Sequence, residues 1–224
     1  MYICPQPNKR NNVKELKVIA VKDINYESSI TEISGLLDRL DKNEMDNVPW
    51  KSHPYKPSAS FTISYGPDCL FLKYFISEKQ IRAAEEAPNS PVWQDTCVEF
   101  FVSFNDGAHY YNFEINCIGT ILAAYGNGRE NRSFLSEQVI GTIKTFIIID
   151  KLSSPPTIHW DLIAVIPFTA FAHDKIDSLT GVSARANFFK CGDKLSEPHY
   201  VSWNQVEAPE PDFHLPQYFG TLSF

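Results

Sequence analysis

The sequence predicts an all-β chain, an antiparallel β-sandwich of the jelly-roll or immunoglobulin-like kind with one or two short helices. Three observations lead there. Short period-2 runs rich in Phe, Tyr, Val and Ile recur along the chain. Turn clusters such as Gly66-Pro67-Asp68 and Asn105-Asp106-Gly107-Ala108 separate them. No strand–helix alternation and no repeat of fixed period is present, which argues against a parallel α/β fold or a solenoid.

Residues 1–12 are polar and Pro-containing and read as an extended lead-in. Leu16, Val18 and Ala20 alternate with Glu15, Lys17 and Ile19, predicting a strand over 13–21. Ser29-Ile30-Thr31-Glu32 is a capping-box pattern, and Ile30, Ile33, Leu37 and Leu40 follow at helical spacing, so 29–40 reads as an amphipathic helix. Residues 42–59 look irregular, with Trp50 expected to plug one end of the core. Strands follow at 60–65, 69–77, 97–104, 109–117 and 120–125, with a solvated helix-like stretch at 78–86. Further strands are expected at 139–150, 157–166, 182–190 and 218–224. The whole reads as one domain over 1–224, with 1–48 an N-terminal extension packed on it.

Composition narrows the function. With 43% hydrophobic and 21% charged residues in 224, there is material for a large core. A formal charge of −7, with positive clusters no longer than pairs such as Lys9-Arg10, argues against a nucleic-acid surface. No window of 18 apolar residues is available for a membrane span, and no signal peptide is visible at the start. Five widely spaced cysteines (Cys4, Cys69, Cys97, Cys117, Cys191) form no CxxC pair, which favours free, buried thiols over a disulfide framework or a zinc site.

The most informative stretch is 91–125. Val98, Phe100 and Val102 alternate with Glu99, Phe101 and Ser103, and beyond the turn Tyr111, Phe113 and Ile115 alternate with Asn112, Glu114 and Asn116. A four-residue loop sets Phe100 opposite Phe113 and Val98 opposite Ile115, and a one-residue slip would send one apolar set to the wrong side. The same register puts Glu99 directly across from Glu114. Like charges so placed repel. A cation, a metal, a shared proton or a donor-rich partner must compensate them. Asn112 and Asn116 flank the pair, so this face reads as a ligand platform rather than core. Arg185 and Asn187 share one side of a later strand, and Arg185 could neutralise the acids. Trp93 and Trp203 lie in loops that could border the platform. A cyclic sugar suits such parts: its C–H faces stack on flat rings, and its hydroxyls need acceptors and donors.

PVWQDTCVEFF, YYNFEIN-x-x-GT, Ile166-Pro167-Phe168, RANFFKCGD, HYVSW and DFHLPQYFGTLSF together resemble the family 9 carbohydrate-binding modules and their stand-alone relatives, over roughly residues 49–224. That resemblance implies a β-sandwich that binds the ends of glucan or xylan chains without cutting them. It places the two stacking tryptophans on Trp93 and Trp203 and the acidic sugar contact on Glu99. Some relatives carry a second acid where this chain has Thr96. The resemblance also implies structural calcium, for which Asp95, Asp106 and Asp193 offer oxygen without EF-hand-like spacing. Partners so implied are a mono- or oligosaccharide or a polysaccharide end, together with glycoside hydrolases. It implies an extracytoplasmic role, while the missing leader leaves a cytoplasmic one open.

Two other readings stay in view. The Glu99/Glu114 pair could serve a glycoside hydrolase, whose two carboxyls stand about 5–5.5 Å apart in retaining enzymes. Similar sandwiches can hold haem, but Met1 and Met45 are the only thioethers and neither lies on a predicted core strand. No GxSxG elbow, HExxH or Walker loop is present. His214 reads as a structural hydrogen-bonding residue.

Overall fold

The computed structural model describes residues 13–104, 107–153 and 156–224. In chain order the first strands are β1 (Glu15–Lys17), β2 (Ile19–Ala20), β3 (Asn43–Glu44), β4 (Ser58–Tyr65) and β5 (Cys69–Glu78). There follow β6 (Cys97–Ser103), β7 (Tyr110–Asn116), β8 (Ile121–Gly126) and β9 (Arg132–Phe134). The last are β10 (Lys144–Ser153), β11 (Pro156–Pro167), β12 (Ser183–Cys191), β13 (Tyr200–Ser202) and β14 (Gly220–Ser223). Helices α1 (Ile30–Leu37) and α2 (Glu137–Ile140) are short.

The strands form two sheets, a β-sandwich as predicted. One runs β1-β14-β12-β6-β7-β8-β9, with β13 beside the far half of β12. The other runs β10-β11-β5-β4-β2, with β3 also on β4. Phe61, Tyr74, Phe100, Phe113, Trp160 and Phe188 fill the space between them, and the Phe61 and Phe188 rings stack with centroids 3.6 Å apart. Burying each such side chain contributes roughly 1.5–3 kcal/mol before entropy is counted.

Both outer faces are partly covered. Ile33, Leu36 and Leu37 of α1 pack on Phe71, Ile163 and Val165 behind the second sheet. The helix starts at Ser29, whose hydroxyl accepts from the Glu32 amide while Glu32 reaches back, completing the capping box. Behind the first sheet, Phe101, Tyr110 and Phe189 meet Trp50, Phe213 and Phe219 in a second apolar cluster. Trp50 is buried there, its indole N–H donating to the Ala208 carbonyl at 2.9 Å. The face predicted to be an open platform is therefore largely roofed by loops.

The β6–β7 register is as predicted: Val98 pairs with Ile115, Phe100 with Phe113 and Glu99 with Glu114. Asn105 and Asp106 of the intervening turn, like Met1, Cys4 and the rest of 1–12, lie outside the described residues. The other four cysteines are free and buried.

Two segments depart from the pattern. Residues 79–86 form no helix. The Asp95 carboxylate accepts from the Ala84 and Glu85 amides at 3.0 and 2.9 Å and pairs with Arg82, while the Arg82 amide donates to Thr96 Oγ1. Side chains thus satisfy the N–H groups that a helix would have used. The strand predicted over 139–150 starts later, because Ser136 caps α2 by accepting from the Val139 amide.

Candidate functional site

Where the roof over the first sheet stops short, a cavity of about 410 Å³ opens above Glu99, Glu114 and Cys191. Glu99 rises from β6, Glu114 from β7 and Cys191 from β12, so three adjacent strands supply its floor. Half-buried Trp93, in a 3-10 turn at Val92–Gln94, lines it, as do Tyr200 on β13 and Phe213. Phe134, 57% exposed on β9, stands at its rim. Arg129, Arg132, Asp193, Asp212 and His214 supply the polar lining. Flat rings beside charged hydrogen-bonding groups make a chamber for a small polar ligand with apolar faces.

The repulsion across the ladder is resolved by a residue that the sequence did not single out. Arg132 Nη1 lies 3.0 Å from Glu114 Oε1, and Asn112 Nδ2 donates to the same oxygen at 2.9 Å. Arg132 also reaches His214 Nε2 at 3.1 Å. A guanidinium only donates, so His214 Nε2 accepts; its proton sits on Nδ1, which faces the Tyr110 hydroxyl at 2.8 Å. Burial and the neighbouring Arg132 lower the His214 pKa to about 2, so the ring stays neutral.

The two acids differ. Burial raises Glu114, and Arg132 opposes that rise. Glu99 is pushed well above the carboxylate range, first by burial and then by the Glu114 charge. Its Oε1 accepts from the Cys191 thiol at 3.1 Å, and no ion pair reaches it among the described residues. Glu114 Oε2 is buried without a hydrogen-bond partner. At the cavity wall, burial pushes Asp193 up to about 6, against the effect of its hydrogen bond from Tyr200.

Of the residues singled out from the sequence, Trp93, Glu99 and Glu114 line this cavity. The other residues put forward as sugar contacts do not, for identifiable reasons. Trp203 faces the inter-sheet core, with its ring 6.0 Å from Phe61 and 5.6 Å from Phe188. It cannot pair with Trp93; Tyr200, one strand-turn earlier, takes that wall. Arg185 donates to the Phe219 and Gly220 carbonyls, far along β12 from Glu99. Asn187 ties the Asn204 amide and carbonyl to β12. Asn112 is buried beneath the floor and serves Glu114. Asn116 Oδ1 accepts from the Ile118 and Thr120 amides, and its Nδ2 donates to Glu85 O and Asp95 Oδ2. That side chain builds the β7–β8 turn, where Gly119 takes φ +87°.

Both Asp95 oxygens are held by Arg82, Asn116 and two amides, Asp193 belongs to the cavity wall, and Asp106 lies outside the described residues.

The carbohydrate-binding family 9 model matches residues 32–224. The chain belongs to that family. A crystal structure of a candidate carbohydrate-binding protein from Bacteroides uniformis is similar at 38% identity, over 95% of this chain and 99% of that one, with a TM-score of 0.87. Two structures of a family 9 module from Caldicellulosiruptor kristjanssonii share the fold. The one holding glucose has TM-score 0.58 at 12% identity, covering 94% of this chain and 95% of that one. The one holding cellotriose has TM-score 0.59 at 13% identity, covering 94% and 93%. Among curated proteins there is no match. In this chain the acid pair lies beneath an aromatic-walled cavity.

Proposed function

We propose that this family 9 chain binds a sugar, as a free mono- or oligosaccharide or a polysaccharide end, in the cavity between Trp93 and Tyr200, without cutting it. One observation carries the reading. Glu114 Oε2, an acceptor with no partner, and the Glu99 carboxyl, met by the Cys191 thiol but by no ion pair among the described residues, lie at the floor of a ring-walled cavity. Hydroxyl donors satisfy such acceptors, and C–H faces match such rings. The volume, about 410 Å³, falls within the range of small-molecule sites.

Hydrolysis fits less well. Both acids rise from the middle of neighbouring strands on one face, so they meet a sugar from the same side. A glycosidase sets its carboxyls on either flank of the bond to be broken. Titration calorimetry with glucose, cellotriose and a broader glycan panel tests the reading. A saturable signal weakened by Trp93→Ala and Glu99→Gln supports it, and no binding of any glycan by the unaltered chain defeats it.

A further inference from the structure

Spacing along the chain argued against a thiolate metal site, but the first sheet brings two distant cysteines together. Cys97 on β6 and Cys191 on β12 are directly opposed across the ladder. Glu99 stands two residues along the same face. The two sulfurs and a Glu99 oxygen all lie within 4.8 Å of one another, and all three side chains are buried. We propose that Cys97, Cys191 and Glu99 hold a soft divalent cation of the zinc class, with its fourth position open to the cavity.

The donor chemistry selects the ion. Two thiolates and a carboxylate suit zinc, whereas calcium and magnesium demand oxygen alone. The spacing suits it too. Bonds of about 2.0–2.3 Å in a tetrahedron set ligand atoms roughly 3.3–3.8 Å apart, so each side chain closes in by about 1 Å or less. The charge balance of the floor points the same way. Arg132 answers one of two facing carboxylates, and Glu99 is left with only a thiol donor. A cation there completes what Arg132 begins. The strands hold the ligands still: Lys190 Nζ grips the Cys191 carbonyl at 2.8 Å, and the β6–β12 ladder fixes Cys97. Cys191 and Glu99 line the cavity, which gives the ion an entry path and its open position an outlook. Both ligating thiols lose their protons to solvent as the ion binds, with no change of oxidation state.

Cobalt(II) is the visible probe, titrated into the full reduced chain. A thiolate-to-cobalt charge-transfer band that saturates at a single equivalent and is displaced by zinc is expected. Cys97→Ser and Cys191→Ser abolish it, and Glu99→Gln weakens binding at least about tenfold. Cys69→Ser, altered under α1 and away from the cavity, leaves it unchanged. No band from the unaltered chain overturns the proposal, as does a band that survives Cys97→Ser. Should the serine variants fail to fold, the melting temperature decides. Zinc raises it in the unaltered chain and much less in Glu99→Gln, which keeps both thiols; equal shifts or none overturn the site. These readouts need no sugar, so they stand or fall apart from the sugar-binding proposal.

Discussion

Arg132 meets Glu114 at 3.0 Å from a three-residue strand at the border of the first sheet. A short peripheral element thus supplies the cation for an acid in the centre of the ladder. The pair is nearly dry, with the arginine side chain 15% and the glutamate 2% exposed. Arg132→Gln should therefore cost about 3 kcal/mol in urea unfolding, since it strands a buried carboxylate. It should also abolish sugar binding in calorimetry. Adding Glu114→Gln should restore much of the stability but not the affinity. Full stability in the single variant would show that the pair is not needed to hold the sheet.

The tryptophans at 93 and 203 should separate cleanly. Trp93→Ala is expected to weaken sugar binding by about 1–3 kcal/mol, on the scale of stacking on bases, with a nearly unchanged melting temperature. Trp203→Ala should cost about 3–5 kcal/mol of stability, because the ring fills the core against Phe61 and Phe188. Tyr200→Ala should resemble the Trp93 change. Paired titration and unfolding of the three variants decides it, and a binding-selective Trp203 effect would contradict the placement.

Gly220 sits against that same indole. An added Cβ would lie 2.4 Å from Trp203 Cζ3 and 2.7 Å from the Lys14 carbonyl. Gly220→Ala should destabilise by about 1–3 kcal/mol through overpacking. Trp203→Phe in the same chain should recover part of that loss in thermal unfolding, and strictly additive losses would argue against the contact.

Asp193 gives the cavity a pH dependence. Its folded pKa, about 6, is above the ordinary aspartate value. Its proton is therefore held more tightly in the folded state. That contribution to stability is fully present below the ordinary value and lost as pH rises through about 6. Sugar hydroxyls donate best to the ionised form, so affinity should climb between about pH 5 and about pH 7. Asp193→Asn should flatten the rise in calorimetry. A slope of opposite sign would mean that the acid donates to the ligand.

The hairpin was legible because alternation and turn length left one register that kept both apolar sets together, and the facing acids followed from it. The cation was not. Arg132 lies on a strand too short to show a period, beyond an irregular stretch at 127–131, and nothing local links it to Glu114. The second aromatic wall was within reach. In His199-Tyr200-Val201-Ser202-Trp203, strand alternation puts Tyr200 and Trp203 on opposite faces, and reading the segment as a loop hid that. Asn116 misled for another reason: a buried amide on a polar face can serve a turn as well as a ligand. Residues 79–86 carry a solvated helical composition, and Asp95 overrides it from a distance.

The ribbon at 15–20 begins on the outer border of one sheet, beside β14, and finishes on the outer border of the other, beside β4. Val18 is buried where it crosses between them. Six residues therefore seal two hydrogen-bonding margins that would otherwise template stray chains. Damage such as Val18→Asp would unzip both margins in one event. Its signature would be clumping of molecules whose cavity above Glu99 and Glu114 is still intact.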